Sequence, residues 1–376
     1  MRAAVVRERS GPFRVEELAE PSPKEGEILV EVAATGVCHT DLHIHDGSVA
    51  FPFPCVLGHE TSGTVLEVGP GVGHLKPGQQ VVGAFVMPCG RCELCRAGRS
   101  ELCSEFFAKN RLSGTLYDGT TRLYDAKGRP VWMYSMGAMA ERCVMPALAA
   151  VPLDPRLPLV DSAILGCALL TAYGAAHTVA GVGPGATVAV LGAGGVGSSL
   201  VQVARALGAT SVVAVDLETA KLDAARRLGA TDVVDASAGD PVAGVRELTD
   251  GAGVDVVFEA IGRPQTFRQA TEMCADGGAA VMVGIAPTGM VGEVEITRLV
   301  RRKLRLLGSF GGRPQEALPA LMTMAAEGRI DLSGAVSEHH RLDEVDEAFA
   351  RLRRGEVIGR AVVQMDGVRA GAGGGR

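Results

Sequence analysis

Residues 185–216, GATVAVLGAGGVGSSLVQVARALGATSVVAVD, constrain this chain more than any other stretch. A β-branched run, a glycine turn, an amphipathic segment and a second β-branched run read as strand, turn, helix and strand. In that setting Gly192 permits the tight turn, Gly194 lets the backbone approach a pyrophosphate, and Gly197 allows the helix to pack closely on the strand. Gly195 and Val196 complete the turn, leaving the phosphates at the helix amino terminus. Asp216 follows nineteen residues after Gly197, placed to accept hydrogen bonds from ribose hydroxyls. It would repel a 2′-phosphate, and neither Leu217 nor Glu218 supplies a cation to hold one. NAD is therefore expected over NADP.

The alternation continues through ATDVVDA, GVDVVFEAIG and GGAAVMVGIA, separated by helix-like segments such as TAKLDAARRLG. The expected fold is α/β, a doubly wound parallel sheet of the Rossmann type. It should occupy residues 167–307, inserted in a second, mostly β domain made from 1–166 and 308–376. At 376 residues, two domains are expected, since single cores rarely grow beyond about 250–300 residues. No internal repeat is visible, and the tail DGVRAGAGGGR, without an apolar pattern, should be flexible.

A net charge of −6 argues against a nucleic-acid partner. The amino terminus alternates apolar and charged residues, unlike a secretory signal. No apolar stretch reaches the roughly 18 residues needed to span a bilayer, so no membrane association is expected. The cytoplasm is the expected location, where thiols stay reduced and clustered cysteines more often bind metal than pair.

The run PCGRCELCRAGRSELC, residues 88–103, holds four of the nine cysteines. Cys89, Cys92, Cys95 and Cys103 could present four thiolates to one Zn²⁺ in a closed, structural site. The alternatives are a disulfide pair, inert buried thiols, or the zinc ribbon of a nucleic-acid binder, although Arg91, Arg96 and Arg99 sit among Glu93 and Glu101. A second cluster lies in GVCHTDLHIHDG and PCVLGHE. Cys38 and His59 suit zinc, and Glu60 could be a further ligand or a supporting carboxylate. Spacing alone does not select a third ligand from Cys143, Cys167 and Cys274. His39, His43 and His45 could be ligands, acid/base groups or solvated side chains.

Taken in order, GVCHTDLH, GHE, the four-cysteine lobe, GCALLTAYGA, GAGGVG, Asp216 and IGRAVV make the chain resemble, over nearly its whole length, a zinc-dependent alcohol dehydrogenase of the medium-chain dehydrogenase/reductase superfamily. The resemblance implies that the mostly β domain is GroES-like and that each chain holds two zinc ions. Cys38, His59 and Cys167 would hold the catalytic one, with Glu60 able to approach the metal, and Asp41 would orient the His59 ring. Thr40 and His43 match a proton relay, which leaves His45 as a surface residue. His39, Thr171, Lys221 and Arg360 match cofactor contacts: pyrophosphate, nicotinamide pocket, ribose and pyrophosphate.

The implied reaction interconverts a primary or allylic alcohol and its aldehyde with NAD, in a homodimer paired along the edge near Leu304 to Phe310. Glutathione-dependent formaldehyde dehydrogenases usually carry a tyrosine and an arginine where this chain has His43 and Phe107. A glutathione adduct is therefore not favoured. The segments FPFP, FF and VWMYSM suggest an apolar, aromatic pocket. A reductase of conjugated double bonds on the same fold is the nearer alternative, and a non-catalytic NAD- or zinc-binding regulator the more distant one.

Overall fold

The computed structural model describes residues 1–366, so most of the tail expected to be flexible, 367–376, lies outside the described residues. Two compact units are present. One takes Met1–Leu170, Arg313–Ala326 and the chain from Val336 onward, and the other takes Thr171–Gly312 and Glu327–Ala335. Residues 327–335, which the sequence reading assigns to the mostly β part, sit with the second unit.

The second unit is built on six parallel strands in the order Asp232–Asp235, Ser211–Asp216, Thr187–Leu191, Val254–Glu259, Cys274–Met282, Arg305–Gly308. The order reverses beside Thr187–Leu191, the topology that opens a crevice at the carboxyl ends of the strands. Both neighbours of that strand are parallel, and four of its five residues are buried, which is why it reads as a continuous apolar run rather than an alternating one. The helix Gly195–Ala206 follows and buries Leu200, Val201, Val203 and Ala204. Gly192 has φ +88°, and a Cβ at Gly197 would fall on the Gly192 carbonyl oxygen. Only glycine satisfies both positions.

The first unit contains a five-stranded and a seven-stranded sheet. At the centre of the larger one lies Glu27–Val37, buried at ten of its eleven residues. It pairs antiparallel with Thr61–Val68, Arg142–Pro146 and Arg360–Gln364. The last of these pairings brings the end of the described chain against its beginning. Together with the parallel sheet, this establishes the expected α/β architecture.

Residues Asp161–Ala180 form a 20-residue helical run of mean hydropathy 1.5, long and apolar enough by composition to cross a bilayer. No such segment was expected. Its apolar window is 83% buried inside the protein, as befits a core helix whose 3₁₀ start and π-helical end bracket a short α-helical middle.

Candidate metal centres and cofactor site

Cys38 follows the strand Glu27–Val37 and stands at the amino end of the helix His39–His45. His59 and Glu60 lie between Gly58, at φ +98°, and the strand Thr61–Val68. Cys167 follows the 3₁₀ turn Asp161–Gly166. Two glycines make this convergence possible. A Cβ at Gly36 would fall on the Glu60 carboxylate, and one at Gly166 on the Gly83 carbonyl.

The ligand atoms of Cys38, His59, Glu60 and Cys167 lie within 4.8 Å of one another, and all four residues are buried. Asp41 Oδ1 is 3.0 Å from His59 Nδ1 and also accepts from the Gly58 N–H at 3.1 Å. That contact fixes the ring and turns Nε2 toward the cysteines. Nε2 is buried without a hydrogen-bond partner, an orphan that a cation would satisfy. Two thiols and an imidazole form a donor set suited to zinc with one position left open.

Electrostatics agree with a cation site. Burial opposes a charge on His59, but the Asp41 carboxylate and Cys38 outweigh it and raise the ring to about 9. Cys38 is lowered well below the ordinary thiol value by the hydrogen bond with Cys167, against its burial and with help from Arg360 and His59. Glu60 is fully buried and ion-paired with the Arg360 guanidinium, itself 4% exposed. The pairing of these two buried charges went unread in the sequence, because Arg360 lies 300 positions downstream of Glu60.

Aromatic rings wall this cluster. Tyr134 and Phe85 stand edge-on to His59, with centroids 5.6 and 6.0 Å away, and Phe51 stands edge-on to Tyr134 at 5.6 Å. Phe51 and Tyr134 belong to FPFP and VWMYSM, whereas Phe85 was missed. It sits in a strand-end segment, GAFVMPCG, with no chemical signature of its own. The Arg111 guanidinium donates to the Tyr134 hydroxyl.

Thr40 and His43 are half-buried, one turn apart on the helix His39–His45, and His39 is exposed. His45 is not the surface residue expected: it is 5% exposed and held at both ring nitrogens.

Cys89, Cys92, Cys95 and Cys103 also lie with their sulfurs within 4.8 Å of one another. Backbone N–H groups of Cys92 and Cys95 donate to Cys89 Sγ and Cys92 Sγ at 3.3 and 3.4 Å. Against burial, the Cys95 and Ser104 N–H groups help bring Cys92 down to about 6, while burial pushes Cys103 up. All nine cysteines are free thiols, so the disulfide alternative falls away.

In the second unit, Ala193 N–H donates to Asp216 Oδ2 at 2.7 Å, and the Leu217 and Glu218 N–H groups donate to Oδ1 at 2.8 and 3.1 Å. Gly194 precedes the first turn of the following helix and Gly195 and Val196 begin it, with nothing within 4 Å of a Cβ built at Gly194. Lys221 is paired with Glu218 at 2.6 Å. Thr171 is 9% exposed in the helix Ala168–Tyr173.

Residues 24–155 match the family model of the alcohol dehydrogenase GroES-like domain, and residues 195–327 that of the zinc-binding dehydrogenase. An S-(hydroxymethyl)glutathione dehydrogenase from Escherichia coli is 36% identical over 362 residues, 95% of this chain and 98% of that protein. Benzyl alcohol dehydrogenase from Acinetobacter calcoaceticus superposes with a TM-score of 0.91 at 30% identity, covering 97% of this chain and 99% of its own. A Sinorhizobium meliloti 1021 chain described as a zinc-binding dehydrogenase, solved bound to NADP, has a TM-score of 0.81 at 31% identity, covering 96% and 98%.

The chain belongs to the zinc-dependent alcohol dehydrogenases of the medium-chain dehydrogenase/reductase superfamily. It is an oxidoreductase of small molecules with two clusters of zinc-type ligands.

Proposed function

We propose that this chain interconverts an apolar primary or allylic alcohol and its aldehyde, using NAD and two zinc ions per chain. The observation that carries the reading is the buried cluster of Cys38, His59 and Cys167 with the unpartnered Nε2 of His59 at its centre. Zinc held by these three, with Glu60 beside it, would supply a Lewis acid that acidifies a substrate hydroxyl. NAD would supply the hydride acceptor or donor.

The protein's own residues do the rest. Asp41 keeps His59 in the tautomer and orientation a metal requires. Arg360 neutralises Glu60, so that the carboxylate can remain charged while buried. Thr40 Oγ1 accepts the substrate proton as it hands on its own hydroxyl proton, and His43 takes a proton on one ring nitrogen while giving one up to solvent. Phe51, Phe85 and Tyr134 favour an apolar substituent. In the second unit the Gly192–Gly197 turn receives the pyrophosphate and Asp216 the ribose, with Thr171 and Lys221 as further cofactor contacts; in the first unit His39 is a candidate for an anionic group. The Cys89, Cys92, Cys95 and Cys103 lobe would hold a structural zinc. The cytoplasm suits a protein whose nine cysteines form no disulfide, and a homodimer suits its open sheet edge.

The test incubates the protein with NAD⁺ and deuterated benzylic, aliphatic and allylic alcohols, with S-hydroxymethylglutathione as a separate arm. Deuterium passing from a carbinol carbon to the reduced cofactor supports the reading. Turnover only in the glutathione arm would overturn the apolar substrate. Hydride passing from NADH to the β-carbon of an enal, with no carbinol active, would replace the reaction by double-bond reduction.

A further inference from the structure

The helix His39–His45 carries Thr40, Asp41 and His43 on only seven residues. A helix so short cannot hold a direction by itself, so its packing must fix it. His45 has no part in the relay or the metal cluster, yet it is 5% exposed. Its Nε2 lies 2.7 Å from the Gly11 carbonyl oxygen and its Nδ1 3.2 Å from Arg353 Nη2. A carbonyl only accepts and a guanidinium only donates, so these partners assign a neutral ring with its proton on Nε2.

The ring also stacks on Phe13, centroids 5.1 Å apart with 7° between planes, and Phe13 stacks on Phe349 at 4.6 Å and 3°. Ser10 N–H and Arg9 Nε donate to the carbonyls of His45 and Asp46, each at 2.7 Å. The carboxyl end of the helix is thus clasped by residues 9–13 on one side and by the helix Val345–Arg353 on the other.

We propose that His45 is a positioning residue of the proton relay: its doubly hydrogen-bonded, stacked ring locks the rotation of the helix and so sets where Thr40 and His43 stand. The proposal rests on the reading of Thr40 and His43 as the relay. His45→Phe keeps the stack and removes both hydrogen bonds. His45→Gln keeps one donor and one acceptor and removes the ring.

In metal-replete protein, His45→Phe should retain two zinc ions and lower kcat for alcohol oxidation fivefold or more at neutral pH, with KM within about twofold. The loss should shrink as pH rises, and added imidazole should restore part of the rate, because a free base can stand in for a misplaced His43. Amide hydrogen exchange of residues 39–47 should rise about tenfold, with residues 185–216 unchanged. His45→Gln should stay within about threefold of the parent in both measurements. Should His45→Phe fail to fold, Arg353→Met, at an exposed position, should raise exchange at 39–47 and lower kcat in the same sense.

Unchanged exchange at 39–47, or raised exchange with an unmoved kcat–pH profile, overturns the proposal. If His43→Gln leaves oxidation unaffected at every pH, the relay reading falls and this proposal with it. A working relay with an unaffected His45→Phe defeats the proposal alone.

Discussion

Asp216 shows how one carboxylate can be held in place by the loop it serves, since three backbone N–H groups fix both its oxygens. Asp216→Gly should weaken NAD binding by about 1.5–3 kcal/mol, the scale of a charge-assisted hydrogen bond, and narrow the preference over NADP. Comparing kcat/KM for the two cofactors checks this, and a parent enzyme faster with NADPH than with NADH would contradict it. His43→Gln should slow alcohol oxidation roughly tenfold or more at neutral and lower pH, leave zinc content intact, and respond to added imidazole. At this scale, what could be read in advance was what lies close in sequence or has an unmistakable donor type. Cys38 and His59 could be paired as candidate ligands by chemistry, but nothing in the spacing tied them to Cys167. His45 looked like surface because a third histidine in a seven-residue run carries no mark of the Phe13 and Arg353 contacts that bury it.

At the level of elements, the four-cysteine lobe has almost no hydrophobic core of its own; its four-residue helix Glu93–Arg96 has no buried residue. A metal held there would then be its main source of order. Cys89→Ala should lose one zinc per chain by elemental analysis and lower the melting temperature while the other zinc remains; retention of both would refute the assignment. The turn between Leu123–Tyr124 and Pro130–Met133 relies on a different device. Asp125 Oδ1 accepts the Lys127 and Arg129 N–H groups, each at 2.9 Å. The Arg129 N–H and guanidinium, with Lys127, hold Asp125 down at about 2, against an ordinary value of about 3.9. A carboxyl depressed on folding stabilises the native state above its unfolded pKa and gives up that contribution as pH falls toward the folded one. Asp125→Ala should therefore melt below the parent at pH 6, and the gap should close between about pH 5 and 2. Among elements, the parallel strands were legible because burial on both faces writes itself as unbroken apolar runs. Asp161–Ala180 was not, because Ser162, Gly166, Thr171 and Gly174 interrupt the run on paper while remaining buried in the fold.

For the whole molecule, the sheet of the second unit ends at Arg305–Gly308, which among the described residues pairs on one side only. Ile296, Val300 and Leu306 nearby are 77%, 68% and 39% exposed. An open edge with apolar neighbours invites a second copy related by a two-fold axis. Light scattering should give about twice 38.9 kDa, Val300→Glu should shift the mass toward one chain, and a monomeric parent at micromolar concentration would rule the dimer out. The central strand Glu27–Val37 also takes Arg360–Gln364 as a neighbour, and this sets an order on biosynthesis. On a ribosome adding roughly 5–20 residues per second, amino-terminal domains usually fold first. Here the first-made segment waits tens of seconds at that pace for its neighbour, holding Glu60 without the cation that compensates it. The nucleotide-type unit, nearly all of it contiguous from Thr171 to Gly312, can close in the meantime. The part translated first is the part completed last, and the sheet edge left open until its two late strands arrive is where a nascent chain would most need a chaperone.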